Sequence, residues 1–251
     1  MGCGDRVPAT ALVAGPLTSR SMPALRLSWP QYLVTVATGF PLVGAWTARR
    51  LTWRDPVGQV GLVWGALFVL SVAQMTAGIM GRFAYINWGS AAAALLAPLL
   101  LVPLLTWMGP RATRWRTSLL VLFAVAGIAA MLALGPGRQL TLLYLTSTQL
   151  VLAILALGML VAQARRAADP QGIPAEPGWL WIGGGHLVYF LATVVSRPLI
   201  EFLIPLLGRE PARDVSMGLL LVYSAALAVI AWGQWKGRRE AQRSPAARIA
   251  A

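Results

Sequence analysis

The amino-acid sequence predicts an all-α polytopic membrane protein, a bundle of about seven transmembrane helices with its N-terminus outside and its C-terminus in the cytoplasm. Of the 251 residues, 57% are hydrophobic and only 12% are charged, against roughly 25% charged residues in soluble domains. Apolar runs of about 20 residues, enough to cross a bilayer as a helix, recur along the whole chain. Basic residues divide unevenly between the two sets of connecting loops.

The apolar runs give the predicted spans in chain order. They lie at 30–48, 57–80, 84–107, 117–135, 139–164, 178–205 and 216–235. Tryptophan prefers the membrane–water interface, and it stands near the ends of these spans at Trp29, Trp46, Trp53, Trp107, Trp115, Trp179, Trp181, Trp232 and Trp235. We therefore expect a disordered N-terminal segment (1–28), a transmembrane domain (29–236) and a basic cytoplasmic tail (237–251). Met22 is an alternative start to Met1.

The basic residues predict the orientation, because cytoplasmic loops carry an excess of Lys and Arg. One set of loops holds Arg49, Arg50, Arg54, Arg111, Arg114, Arg116, Arg165 and Arg166. The other set holds only Arg82, Arg138, Arg209 and Arg213. The tail adds Lys236, Arg238, Arg239, Arg243 and Arg248 to the first side, whereas Arg6, Arg20 and Arg26 before the first span oppose this orientation. Topology thus accounts for most of the net charge of +13, and we expect an inner-membrane protein whose partner is the lipid bilayer and not nucleic acid.

The sixth predicted span contains the ionisable residues that point to a functional site. In the stretch HLVYFLATVVSRPLIEF, the residues His186, Tyr189, Thr193, Arg197 and Glu201 recur at helical spacing and share one helix face. This face is expected to turn into the bundle, because exposing it to acyl chains costs several kcal/mol. The Arg197 and Glu201 side chains are four residues apart and can pair along the helix.

Other polar residues are expected at the same, outer level of the membrane. Those chosen as candidate ligand-binding residues are Gln74, Asn87, Tyr144, Gln149 and Tyr223, together with Arg197, Glu201, Tyr189 and Thr193 of the sixth span. Pro198 is expected to kink that span and free a carbonyl, as in the discontinuous helices that line binding cavities. The pattern predicts a polar, outward-facing pocket in which Arg197 anchors an anion or a carbonyl and Glu201 is its partner or a proton acceptor.

A simpler interpretation of the same residues remains open. Arg197 can extend to the outer headgroups, Glu201 can lie at the interface, and the scattered hydroxyls can serve contacts between helices. His186, near the cytoplasmic end of its span, is either a structural hydrogen-bonding residue or a contact for a proton or a cofactor.

Several cofactors are disfavoured by the residue types present. A covalently bound retinal needs a lysine deep in the last span, and the only lysine, Lys236, lies at the end of that span. Haem held by two histidines is disfavoured because His186 is the only histidine. A cysteine-ligated metal is disfavoured because Cys3 is the only cysteine. The sequence therefore predicts no catalytic residue, no metal ligand and no identifiable cofactor.

Three classes of function fit these observations. The first is small-molecule transport or ligand sensing at the outward-facing site, with a small apolar or anionic ligand. The second is a structural or assembly subunit of a larger membrane complex, of the electron-transfer type, with partner membrane subunits; Arg197 would then serve a quinone or a partner's carboxylate. The third is an enzyme that modifies lipids or isoprenoids, which is disfavoured because the chain has no Asp-rich motif of the kind that binds Mg²⁺ and pyrophosphate.

Overall fold

A computed structural model describes residues 29–49, 51–52, 55–106, 112–136, 138–168 and 177–243. All regular secondary structure in these ranges is helical. The helices are α1 (Trp29–Ala37), α2 (Phe40–Thr47), α3 (Pro56–Ile79), α4 (Phe83–Leu105), α5 (Ala112–Leu134), α6 (Arg138–Leu140), a π-helix (Thr141–Leu145), α7 (Thr146–Ala168), α8 (Pro177–Leu207) and α9 (Arg209–Arg243). The predicted N-terminal segment (1–28) and residues 244–251 of the predicted tail lie outside the described residues.

Six segments are long and apolar enough to cross a membrane. They are Pro56–Ile79, Ala84–Leu105, Trp115–Leu134, Leu142–Ala168, Gly178–Leu207 and Arg209–Gly237. They coincide with the last six predicted spans, so the all-helical class is confirmed and the long apolar helices are compatible with a membrane bundle. The final helix is longer than predicted at both ends, because the polar residues around Arg213 and Arg239 continue the helix beyond its apolar run. The orientation of the termini stays a prediction.

The first predicted span is not one helix, which corrects the expectation of a single helix over 30–48. Helix α1 ends at Ala37, and α2 begins at Phe40 with Pro41 in its first turn. Proline has no N–H to bond the carbonyl four residues before it, and its ring opposes that carbonyl, here the carbonyl of Ala37. At the break, the Thr38 hydroxyl donates to the Thr35 carbonyl over 2.6 Å.

The fifth predicted span contains a π-helical turn. The segment Thr141–Leu145 has this wider hydrogen-bonding pattern and leads directly into α7. Tyr144 in this turn donates from its hydroxyl to the carbonyl of Phe123 on α5 over 2.8 Å. Such turns occur mostly as single insertions in α-helices and are frequent at functional sites.

Helices α8 and α9 form the most extensive pair in the bundle, and small residues bring them close together. A Cβ atom on Gly185 would lie 2.6 Å from Cγ1 of Ile230 and 2.8 Å from the carbonyl oxygen of Ala226. One on Gly233 would lie 2.7 Å from the carbonyl oxygen of Gly178. Small residues at such contacts allow two backbones to approach each other inside a membrane.

Helix α2 packs in the same manner against α3 and α9. A Cβ atom on Gly61 of α3 would overlap the Cβ of Ala45, and one on Gly44 would overlap Oε1 of Gln234. The Gln234 side chain also donates from Nε2 to the Val57 carbonyl over 3.3 Å. The second half of the broken span is therefore fixed to the bundle at the end where α3 begins.

Helix α5 lies at the periphery. Its main helical neighbour is α4, and its other side exposes large apolar residues, namely Val121, Leu122, Val125, Ile128 and Leu132.

Helix α8 continues through Pro198 and Pro205 to Leu207 without interruption. A discontinuity was predicted beside Pro198, but the interrupted helix is in the first span. The kink at Pro198 stays a prediction.

Candidate functional site

A cavity of about 520 Å³ lies inside the bundle. Side chains from α1 and its break, α3, α4, the π-helix with α7, α8 and α9 line it. On α3 the lining runs from Trp64 to Gln74, and on α8 from Tyr189 to Ser196. The cavity therefore occupies the half of the bundle nearer Ile79 and Leu207, with Trp64 at its deep end.

Half of the lining is polar and half is apolar. The polar members are Gln31, Thr38, Ser71, Gln74, Gln149, Tyr189, Thr193, Ser196 and Tyr223. The apolar members are mainly leucine and alanine, with Trp64 at the floor. Among the described lining residues there is no Asp, Glu, His, Lys or Arg. This part of the cavity can hydrogen-bond a ligand but does not neutralise an ionic one.

The floor of the cavity is an aromatic cluster. The Trp64 ring is 1% exposed, and it meets the ring of Tyr189 edge-on with the centroids 5.0 Å apart. Tyr189 in turn contacts the ring of Tyr223 on α9, with 5.6 Å between the centroids. Three helices thus contribute aromatic faces to one end of the cavity.

His186 lies behind this floor and has both ring nitrogens engaged. Nε1 of Trp64 donates to Nε2 of His186 over 3.0 Å. Nδ1 of His186 lies 2.7 Å from the carbonyl oxygen of Ile182. Because an indole N–H only donates and a carbonyl only accepts, the imidazole is neutral and has its hydrogen on Nδ1. In this arrangement His186 holds Trp64 in place and does not reach the cavity.

The hydroxyl groups of the walls donate to the protein backbone. Thr193 donates to the Tyr189 carbonyl over 2.8 Å, and Ser196 donates to the Thr193 carbonyl over 3.0 Å. The Tyr223 hydroxyl donates to the Ala192 carbonyl over 3.3 Å. These bonds fix the hydrogens along the helix and leave oxygen lone pairs at the wall.

Gln149 on α7 has a buried polar atom without a partner. The side chain is 4% exposed and lines the cavity. Its Oε1 atom has no hydrogen-bond partner within the part of the chain that the structure describes. Buried polar side chains are mostly hydrogen-bonded in proteins, so this atom is available to accept a hydrogen bond from a ligand.

Five of the residues predicted as ligand-binding are brought together in the cavity lining: Gln74, Gln149, Tyr189, Thr193 and Tyr223. They come from four helices that are distant in sequence. Their role as ligand contacts stays a prediction.

The other predicted site residues lie elsewhere. Asn87 is exposed on α4, because its helix turns it away from the cavity. Tyr144 is buried against Phe123 of α5. Glu201 is half-buried and is not among the described lining residues, being further along α8 than Ser196. The side chain of Arg197 lies outside the part that the structure describes, so its predicted anchoring role stays a prediction.

Five lining residues with hydrogen-bonding side chains were not chosen from the sequence: Gln31, Thr38, Trp64, Ser71 and Ser196. The position of Trp64 in the sequence could have marked it as a site residue, since it lies inside a predicted span and not at a span end. A tryptophan at that depth needs an acceptor for its N–H. Ser71 precedes Gln74 by three positions and so shares its helix face.

Within the described ranges, no group of three or more His, Cys, Asp or Glu residues could hold a metal ion. Comparisons with protein-family models, with curated proteins and with solved structures find no match to this chain.

Proposed function

We propose that this membrane protein binds a small molecule in the central cavity, for transport or for ligand sensing. The observation that carries the proposal is the convergence of nine polar side chains on one cavity inside a bundle of apolar helices. Polar groups within a membrane domain are costly unless they serve packing or a ligand. A volume of about 520 Å³ lies in the range of small-molecule sites, roughly 300–1,000 Å³.

The broken first span supports the same proposal. Thr38, at the break between α1 and α2, is a lining residue. In membrane transporters, discontinuous helices with irregular backbone are found where they line a cavity. The break here places irregular backbone beside the cavity and not beside lipid.

The proposal is tested with a variant that fills the cavity. Ala93 on α4 lines the cavity, and Ala93→Phe is expected to occupy part of it. The matched control is Ala129→Phe, the same change at an exposed position of α5. Mass spectrometry of the gently solubilised protein should find a small molecule retained by the wild type and the control but lost from Ala93→Phe. Equal retention by all three proteins, or by none, would contradict the proposal.

Transport and sensing are separated by reconstitution. A transporter moves the retained molecule into proteoliposomes that contain this protein alone. A sensor binds it without moving it and acts through a separate partner.

A second candidate function is that of a subunit in a larger membrane complex. The observation that favours it is the apolar outer side of α5, from Val121 to Leu132, which no other described helix covers. Partner helices would be expected there. Co-purification of partners in fixed stoichiometry, lost in Val125→Arg but kept in Ala93→Phe, would favour this function over the first.

A further inference from the structure

Several hydrogen-bond donors of the cavity are already used within the protein. The hydroxyls of Thr38, Thr193 and Ser196 each meet a backbone carbonyl. A carbonyl can only accept, so each of these hydroxyls has to be the donor in its bond. The Trp64 N–H is likewise directed to His186. The donors at these four positions are therefore committed within the protein, while the three hydroxyl oxygens keep acceptor capacity.

Gln149 on α7 adds a further acceptor to the cavity. Its Oε1 atom is buried and lacks a donor among the described residues, although the side chain lines the cavity. Leaving a buried acceptor unpaired is unfavourable. A ligand that donates to Oε1 would remove this penalty, whereas a ligand with acceptors alone would not.

The lack of acidic side chains and the aromatic rings of the described lining restrict the chemical class of the ligand further. The described lining has no acidic side chain, and a buried cation without a counter-charge is strongly disfavoured. The Trp64 and Tyr189 rings form an apolar floor that suits a ring or a hydrocarbon skeleton.

We infer that the ligand is a non-cationic hydroxyl compound that donates hydrogen bonds to Gln149 and to the hydroxyl oxygens of the walls. This inference rests on the proposed binding function and specifies the substrate class of the same site. Two sources share the required chemistry, namely a polyol and a lipophilic phenol or quinol. A quinone, which only accepts hydrogen bonds, would leave Oε1 of Gln149 unpaired.

The test compares two ligands that share a ring and two oxygens but differ in their hydrogen-bond donors, and it adds two further probes. Hydroquinone carries two O–H groups, and 1,4-dimethoxybenzene keeps the ring and both oxygens but has no donor. Glucose represents the polyols, and tetraethylammonium represents an organic cation. Binding to the purified full-length protein is measured by titration calorimetry and by thermal shift, since a ligand that binds only the folded state raises its apparent stability.

We expect hydroquinone or glucose to bind, and dimethoxybenzene and tetraethylammonium to bind at least tenfold more weakly. Preference for hydroquinone identifies the phenol source, and preference for glucose identifies the polyol source. Gln149→Met should weaken binding of the preferred probe by about tenfold, the effect of one buried hydrogen bond. Ser147→Ala, at an exposed position on the same helix, is the control and should leave binding unchanged.

A second variant covers the case in which Gln149→Met does not fold. Thr193→Val keeps the side-chain shape and removes one wall oxygen, and it should weaken binding several-fold. Equal binding of hydroquinone and dimethoxybenzene overturns the inference, as does preference for the cation or absence of binding by both hydroxyl probes. If a ligand of another class binds and Ala93→Phe excludes it, the proposed function stands and only the ligand class is wrong.

Discussion

The indole N–H of Trp64 points at Nε2 of His186 over 3.0 Å and joins α3 to α8 across 122 positions of sequence. Both rings are about 1% exposed. The bond fixes the histidine tautomer, because the other ring nitrogen lies against the Ile182 carbonyl. The only histidine of the chain thus supports the cavity floor from behind.

Replacing either partner should leave the other buried and unpaired, so replacing both should cost less than the sum of the two single replacements. Trp64→Phe leaves Nε2 of His186 buried and unpaired, which costs about 1–3 kcal/mol. His186→Phe leaves the indole N–H unpaired with a similar effect. In a double-mutant cycle we expect a coupling energy of roughly 1–2 kcal/mol, measured by reversible unfolding in mixed micelles. Strictly additive effects of the two changes would contradict a direct bond.

Neighbouring glycines on α8 should respond in opposite ways to alanine. Gly185→Ala places a Cβ 2.8 Å from the Ala226 carbonyl oxygen, and backbone cannot yield without moving α9. We expect a loss of about 1–3 kcal/mol, as for other overpacked sites. At Gly184 nothing lies within 4 Å of the added Cβ, so Gly184→Ala should keep or slightly raise the stability. Thermal unfolding of the two variants side by side makes the comparison, and similar losses in both would contradict the close approach of α8 and α9.

Tyr144→Phe should loosen α5 without affecting the cavity. The Tyr144 hydroxyl bonds the Phe123 carbonyl, and α5 otherwise packs mainly on α4. Loss of the bond is expected to cost about 1 kcal/mol and to increase hydrogen exchange in α5 alone. Tyr85→Phe, at an exposed position, is the control. Faster exchange spread over α8 and α9 would show that the effect is not local.

Orientation is tested with fusions at the C-terminus. The excess of arginine in the loops that include Arg49, Arg116 and Arg165 predicts that this end is cytoplasmic. A C-terminal green fluorescent protein should therefore fluoresce, and a C-terminal alkaline phosphatase should be inactive. The same pair fused before Trp29 counts the crossings, since an odd number puts the two ends on opposite sides. Active phosphatase at the C-terminus would reverse the predicted topology.

Most of the helices could be located from the sequence, because a membrane-spanning helix is visible as an apolar run of about its own length. Six predicted spans match long helices within a few residues at most ends. It missed the break at Thr38–Gly39, because a run of apolar residues shows no difference between one helix and two. Pro41 is the sequence signal for this break, whereas Pro198, from which a kink was predicted, lies within a continuous helix.

Part of the candidate site could be predicted from the spacing of polar residues along one helix. Helical spacing placed Tyr189 and Thr193 on one face, and both line the cavity. Depth alone did not show which residues of other helices face the same space. Asn87 and Gln74 were assigned to one level, yet only Gln74 reaches the cavity, because helix rotation is decided by packing between helices and not by depth.

The glycine contacts between α8 and α9 have a mechanical consequence. Two helices in backbone contact cannot slide or rotate independently, so the wall that carries Thr193 and Tyr223 should move as one stiff body. Helix α1 contributes Gln31 and Val34 to the lining and is separated from α2, which is packed against α3 and α9, by the break at Thr38–Gly39. Spin-label distances from α1 to α8 should therefore change when a ligand binds, while distances from α8 to α9 stay constant. We expect such a movement of α1 relative to α8 and α9 to change access to the cavity.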